Sequence, residues 1–104
     1  MKAKISAHYA YDRRDRENLI KEIGYGKKVE EFIEDRGHPN GPEIHVISTT
    51  GIISIFNLRT NKLITKIIAT PGQTRRYYEN RGRAAPEDLL RIAYENKKRN
   101  PYNI

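Results

Sequence analysis

Apolar and β-branched residues are concentrated in the middle of the chain, between residues 43 and 69. The pattern predicts three short strands at 43–48, 52–58 and 62–69, because two groups of turn-forming residues interrupt the apolar run. Thr49-Thr50-Gly51 and Arg59-Thr60-Asn61 are these turns. Since short turns join antiparallel neighbours, the economical arrangement is a three-stranded antiparallel meander.

The residues before the strand block predict a short strand followed by two helices. Polar and apolar residues alternate over 2–6, which indicates the strand, and helical spacing favours a first helix at 7–23. Glycines around Tyr25 end that helix. The apolar spacing in the next segment predicts a second helix at 27–36 with one compact apolar stripe.

The residues after the strand block predict a short helical segment at 74–81 and a basic C-terminal helix that begins near Pro86. The fold class is therefore α+β in a single domain, 1–104. Several strand positions are apolar on both faces of the sheet. We expect the two N-terminal helices to cover one face, and the C-terminal segment or a second subunit to cover the other.

The chain carries a net charge of +7, and most of the excess of basic over acidic residues lies C-terminal to the predicted strands. Residues 74–104 contain 8 Lys/Arg and 4 Asp/Glu, whereas residues 1–36 contain 9 and 8. A basic surface favours polyanions, either nucleic acid or an acidic partner protein.

The absence of cysteine excludes disulfides, thiol catalysis and cysteine-ligated metal sites, and it fits a cytoplasmic protein. No apolar segment is long enough for a secretory signal or a membrane span, so we expect no membrane association. His38, Glu43 and His45 have no spacing typical of a metal site, and no motif indicates a cofactor, so we expect neither.

The segment Arg75-Arg76-Tyr77-Tyr78, which follows the last predicted strand, is the main candidate for a phosphate site. Arginine binds phosphate oxygens with a planar fork, and tyrosine stacks on a base or donates a hydrogen bond. Adjacent side chains point in different directions, so at most about half of the quartet can serve one site. The alternative is that one tyrosine packs in the core and one arginine pairs with Glu79.

His8 and His45 are the candidates for proton transfer, since histidine titrates near neutral pH. His8 is followed by Arg13 and Arg14, which could bind nucleic acid. His45 lies within a predicted strand on the same face as Ile47. The alternative for His8 is a histidine at the surface or the helix start with no role, and the alternative for His45 is a partly buried, hydrogen-bonded residue.

Lys66, in the last predicted strand, is the remaining candidate for binding nucleic acid. Its ammonium group lies close in sequence to the paired arginines and could bind phosphate. The neighbouring Thr65 could add a hydroxyl, but a threonine in a strand is usually there for its β-propensity.

The predicted element order resembles the RelE/ParE-type toxins and the wider barnase–EndoU–colicin–RelE group of small ribonuclease folds. The resemblance also includes His8 with Arg13 and Arg14, the run Lys62-Leu63-Ile64-Thr65, and Arg75-Arg76-Tyr77. It implies metal-independent cleavage of RNA by a toxin or phage effector. Such folds place their active residues on the open face of the sheet and on adjoining segments, but no fixed catalytic set transfers to this chain.

Two functional hypotheses follow from these residues. The first is an RNA-binding protein, with RNA preferred to DNA, that acts as a ribonuclease in which Arg75 and Arg76 hold the phosphate and His8 or His45 moves protons. The second is a non-catalytic module, encoded by a phage or mobile element, that binds nucleic acid or an acidic partner or inhibitor protein. A homodimer that uses the second face of the sheet is compatible with either hypothesis.

Overall fold

Four antiparallel strands form one sheet in the order β1-β2-β3-β4. The computed structural model describes residues 15–99, and the first helix, α1, covers 15–23 of them. The strands are β1 (Lys28–Glu34), β2 (Glu43–Ser48), β3 (Ile52–Asn57) and β4 (Leu63–Ile68). They are followed by α2 (Pro71–Glu79) and α3 (Glu87–Arg99). The fold is α+β, and the strand predicted at 2–6 lies outside the described residues.

The three strands predicted from the middle of the chain are confirmed, with ends that differ by at most one residue. Gly51 has a φ of +83°, a left-handed conformation that suits glycine, and it joins β2 to β3. Asn57 stabilises the next turn, because its Oδ1 accepts hydrogen bonds from the backbone nitrogens of Arg59 and Thr60, both at 2.9 Å. The turn residues therefore fix the meander in the predicted order.

The helix predicted at 27–36 is wrong, because this segment is β1 and pairs with β2 along its length. Of the three apolar residues that suggested a helical stripe, only Phe32 is buried, whereas Val29 and Ile33 are 40% and 58% exposed. In seven residues, helical spacing and strand alternation fit almost equally well. The segment forms a strand because pairing with β2 satisfies the backbone hydrogen-bonding groups of β2 and places Phe32 in the core. The meander therefore has four strands.

The strand register determines which side chains share a face of the sheet. His45 is opposite Ile55, and Ile47 is opposite Ile53, which in turn is opposite Ile67. These residues point to the same face as Phe32, and the core lies on that face. Its buried members are Phe32, Ile47, Ile53, Ala69, Tyr78 and Leu89.

Helices α2 and α3, rather than the two N-terminal helices expected from the sequence, cover this face. Tyr78 of α2 and Leu89 of α3 are both buried in the core cluster, and Ala93 of α3 is buried as well. The side-chain amide of Asn96 anchors the far end of α3, donating a hydrogen bond to the Thr50 carbonyl at 2.8 Å.

A capping box fixes the start of α2 at the end of β4. The Thr70 hydroxyl accepts from the Gln73 backbone nitrogen at 3.1 Å, and the Gln73 side chain accepts from the Thr70 backbone nitrogen at 2.9 Å. Pro71 occupies the first turn, where its missing N–H costs nothing. The helix thus begins three residues earlier than the sequence pattern predicted, and its direction relative to the sheet is set locally.

The outer edge of β1 is irregular and partly covered. The register shifts between Lys28 and Glu30, so β1 has a bulge near its start. Farther along, the Arg81 guanidinium donates from Nη2 to the Ile33 carbonyl and from Nη1 to the Tyr77 carbonyl, both at 2.8 Å. Arg81 therefore joins the end of α2 to this edge of the sheet.

Among residues 15–99, no helix is long and apolar enough to cross a membrane.

Candidate functional site

The candidate site is an open pocket of about 470 Å³ between one end of the sheet and α2. We call it the His45 pocket. It is lined by Glu34, Arg36, Glu43, His45, Ile55, Ile67, Gln73, Arg76, Tyr77 and Asn80. Since strands β1 to β4 form its floor and α2 its wall, residues that are distant in sequence meet there.

One face of α2, continued by its C-cap residue Asn80, supplies four of the lining residues. Gln73, Arg76, Tyr77 and Asn80 have the spacing i, i+3, i+4 and i+7, which places them in one stripe along a helix. Tyr78 belongs to a different face and is 2% exposed in the core. The predicted quartet is therefore divided by helical geometry, and two of its members line the pocket.

A chain of three side chains crosses the pocket floor. His45 Nε2 lies 2.9 Å from Glu43 Oε1, and His45 Nδ1 lies 2.5 Å from the Tyr77 hydroxyl oxygen. A carboxylate only accepts hydrogen bonds, so Nε2 carries a hydrogen and donates it to Glu43. Nδ1 of the neutral ring then accepts from the Tyr77 hydroxyl. The arrangement fixes the histidine tautomer and joins β2 to α2.

Tyr77 and Glu43 are the partly exposed members of this chain, whereas His45 is only 3% exposed. The Tyr77 ring stacks on Phe32 with centroids 5.2 Å apart. Burial is the main cause that raises the pKa of Tyr77 to about 12, and the negative charge of Glu34 adds to it. The hydroxyl therefore remains protonated at neutral pH, as its hydrogen bond to His45 Nδ1 requires.

Two arginines of the pocket lining, Arg36 and Arg76, provide positive charge. Arg36 directly follows Asp35 in the loop after β1, and Arg76 lies on the exposed side of α2. Within residues 15–99, neither arginine forms an ion pair with a carboxylate. Their guanidinium groups are therefore available for an anion such as phosphate.

The two carboxylates of the pocket each have a basic partner already. Glu34 and Glu43 occupy opposite positions on β1 and β2. Arg81 lies 3.5 Å from Glu34, and His45 lies 2.9 Å from Glu43. These contacts reduce the repulsion between the carboxylates, and they leave Arg36 and Arg76 as the cations without a carboxylate partner among the described lining residues.

The structure brings together only some of the residues predicted from the sequence. His45, Arg76 and Tyr77 meet in the His45 pocket. Arg75 is exposed and does not line this pocket, and Tyr78 packs in the core against Phe32 with ring centroids 5.0 Å apart. Lys66 lies on the opposite face of the sheet. His8, Arg13 and Arg14 lie outside the described residues.

Sequence reasoning missed Glu34, Arg36, Glu43, Gln73 and Asn80 as members of the site. Two signals were available: Glu43 shares a strand face with His45 at a spacing of two residues, and the helical stripe of α2 includes Gln73 and Asn80. No signal could reveal Arg36 while its segment was interpreted as a helix.

Comparison with protein-family models, with curated proteins and with solved structures gave no match to this chain. The resemblance to RelE/ParE-type toxins therefore stays a prediction from the order of elements. Within residues 15–99, no group of three or more His, Asp or Glu side chains is arranged to hold a metal ion.

Proposed function

We propose that the protein binds RNA in the His45 pocket and cleaves it by attack of a ribose 2′-hydroxyl on the adjacent phosphorus. One observation carries the proposal. The histidine and tyrosine that could move a proton share a pocket with two arginines that could hold a phosphate. Metal-independent cleavage of RNA needs these two capabilities side by side.

Arg36 and Arg76 are the phosphate ligands in this proposal. Both line the pocket, and a guanidinium group presents paired donors that match two phosphate oxygens. Their positive charge also stabilises the additional negative charge that develops on the phosphate as the 2′-oxygen attacks. Replacing either arginine should therefore weaken cleavage more than it weakens binding.

Tyr77 and His45 are the proton carriers. As the 2′-hydroxyl gives its proton to the Tyr77 oxygen, Tyr77 passes its own proton to Nδ1 of His45, and Glu43 stabilises the resulting imidazolium. The 2′-oxygen bonds to phosphorus, and the bond from phosphorus to the 5′-oxygen breaks. Water protonates the departing 5′-oxygen, and the resulting hydroxide is neutralised when His45 returns its proton through Tyr77. The products are a 2′,3′-cyclic phosphate and a 5′-hydroxyl.

The test is incubation of the purified protein in EDTA with an RNA oligonucleotide, the matching DNA, and the same RNA carrying 2′-O-methyl groups. We expect cleavage of the RNA alone, because the other two lack a free 2′-hydroxyl. Tyr77→Phe keeps the ring that stacks on Phe32 and removes the hydroxyl, so the rate should fall about 100-fold. Tyr94→Phe is the matched control, since Tyr94 is exposed on α3 outside the pocket.

Arginine variants test the phosphate ligands separately. Arg76→Gln should reduce cleavage, whereas Arg75→Gln, which removes the same charge from the neighbouring exposed residue, should not. Equal losses in both variants would indicate a general effect of charge and would contradict a specific phosphate site. Cleavage by Tyr77→Phe at the wild-type rate would exclude the proposed proton relay.

The burial of His45 favours a second candidate, a non-catalytic module that binds RNA. Both ring nitrogens already have protein partners, and the ring is almost completely shielded. In that case the chain of Glu43, His45 and Tyr77 only holds the pocket in shape, and Arg36 and Arg76 bind the phosphate. RNA would then be retained with a dependence on Arg76 and recovered intact.

A further inference from the structure

A second pocket, of about 270 Å³, lies between α1 and β4. We call it the α1–β4 cleft. It is lined by Arg16, Glu17, Ile20 and Lys21 of α1, by Tyr25, and by Leu63, Ile64, Thr65 and Lys66. No residue of the His45 pocket belongs to it. The cleft is therefore a separate feature that the proposed cleavage does not use.

The cleft is more strongly basic than the His45 pocket. Arg16, Lys21 and Lys66 provide three cations against the single carboxylate of Glu17. In the part of the chain that the structure describes, none of these three cations forms an ion pair. A surface with this charge balance attracts a polyanion.

Tyr25 and the apolar residues of β4 give the cleft further features that suit a nucleic acid. The Lys66 ammonium lies 4.0 Å from the centroid of the Tyr25 ring, which holds the charge at a defined place. Leu63 and Ile64 are about half exposed, at 47% and 52%. An apolar surface next to fixed cations can contact a base or ribose while the cations bind the backbone phosphates.

The cleft runs along the edge strand β4, and its Lys66 side chain points to the face opposite the His45 pocket. Ile67 of β4 lines the His45 pocket, and its neighbour Lys66 lines the cleft, since successive side chains of a strand point to opposite faces. In the sheet formed by residues 28–68, β4 pairs only with β3, so its other side is an edge. A flexible chain could pass from one site to the other around this edge.

We infer that the α1–β4 cleft is a second contact for single-stranded RNA. It binds phosphates of the strand that leaves the His45 pocket and passes around β4. This inference rests on the proposed function of the His45 pocket. Duplex RNA is excluded by geometry, because a double helix is too stiff to bend around the thickness of one sheet. The sequence already pointed to Lys66 as a nucleic-acid ligand, and the cleft supplies its partners.

Binding of fluorescent 2′-O-methyl RNA in EDTA tests the inference without cleavage. Probes of about 4 and about 12 nucleotides represent one site and both sites. For the double variant Lys21→Gln/Lys66→Gln, we expect the dissociation constant of the long probe to rise about tenfold. The slope of its logarithm against the logarithm of salt concentration should fall by about 1.4, because two phosphate contacts are lost. The short probe should bind the His45 pocket as in the wild type.

Lys97→Gln/Lys98→Gln is the matched control. It removes the same charge from exposed lysines of α3, one of which lies 4.9 Å from the centroid of the Tyr94 ring. The inference is wrong if the cleft and control variants bind the long probe equally well. It is also wrong if poly-L-glutamate of equal charge competes as well as RNA, since the cleft would then be a site for acidic proteins.

The Arg76→Gln variant distinguishes failure of the inference from failure of the proposed function. If the cleft variant loses binding of the long probe and Arg76→Gln does not, the cleft is an RNA site and the His45 pocket is not. The reverse result would retain the pocket and overturn the inference. If the wild type binds neither probe, both proposals are wrong.

Discussion

Glu34 and Glu43 are directly opposite each other on β1 and β2, a position where two like charges destabilise a sheet. The contacts of Glu34 with Arg81 and of Glu43 with His45 offset this repulsion. The pocket floor therefore depends on the positive charge of Arg81, which follows α2, and on the hydrogen bond that His45 of β2 donates to Glu43. Stability and the arrangement of the site are coupled through this pair.

Arg81→Gln should lower the free energy of unfolding by about 1–2 kcal/mol, because two backbone carbonyls lose a charged donor and Glu34 loses its partner. Urea unfolding at neutral pH measures the effect. Glu34→Gln in the same background should recover part of the loss, since it removes one of the opposed charges. Arg75→Gln, at an exposed position, should change stability by less than about 0.5 kcal/mol.

Tyr77 should make stability fall at alkaline pH. Burial raises its pKa in the folded protein to about 12 from an ordinary 10.0, so the folded state favours the neutral phenol. The stabilisation is complete below pH 10 and is lost as pH rises from 10 towards 12. The difference in unfolding free energy between wild type and Tyr77→Phe should therefore shrink over that range. A constant or growing difference would contradict the raised pKa.

Tyr78→Phe should leave stability unchanged or raise it by up to about 1 kcal/mol. The ring is buried in the core, and its hydroxyl has no hydrogen-bond partner among the described residues. Phenylalanine keeps the packing against Phe32 and removes the unpaired polar group. Thermal unfolding compared with Tyr77→Phe tests this, because the latter variant loses the hydrogen bond to His45. A clear loss of stability in Tyr78→Phe would indicate a hidden partner for the hydroxyl.

Gly51→Ala should destabilise the protein by about 1–2 kcal/mol or more. The residue has a positive φ, and a Cβ atom there would lie 2.9 Å from Asn96 Nδ2 and 3.2 Å from Ile92 Cγ2. Gly72→Ala is the matched control, since it lies in α2 with open space around it and should be neutral or stabilising. Similar losses in both variants would exclude the proposed role of the turn.

The fold was predictable where local patterns and turn chemistry agree. The strands that became β2, β3 and β4 follow from their β-branched residues and from glycine and asparagine at the turns. The segment of β1 was not predictable in this way, because Val29, Phe32 and Ile33 satisfy helical spacing. The strand is selected by contacts with distant residues. These are the backbone pairing of β1 with β2 and the packing of Phe32 against Tyr77 and Tyr78.

The site was predictable in residue type more than in arrangement. His45 and the Arg76-Tyr77 pair stand out chemically in the sequence, and the structure places them in one pocket. Arg36 enters that pocket because β1 is a strand that ends beside β2, and this depends on contacts between distant segments. Lys66 was assigned to the same site as the arginines, but strand alternation places it on the other face.

The bulge and the Arg81 contact at the outer edge of β1 have a consequence for self-association. A straight edge strand with exposed Val29 and Ile33 would offer its free backbone groups to a second copy of the chain. The bulge interrupts that template at one end, and the guanidinium occupies the Ile33 carbonyl at the other. The same arginine that holds α2 to the sheet thus protects the protein against edge-to-edge aggregation.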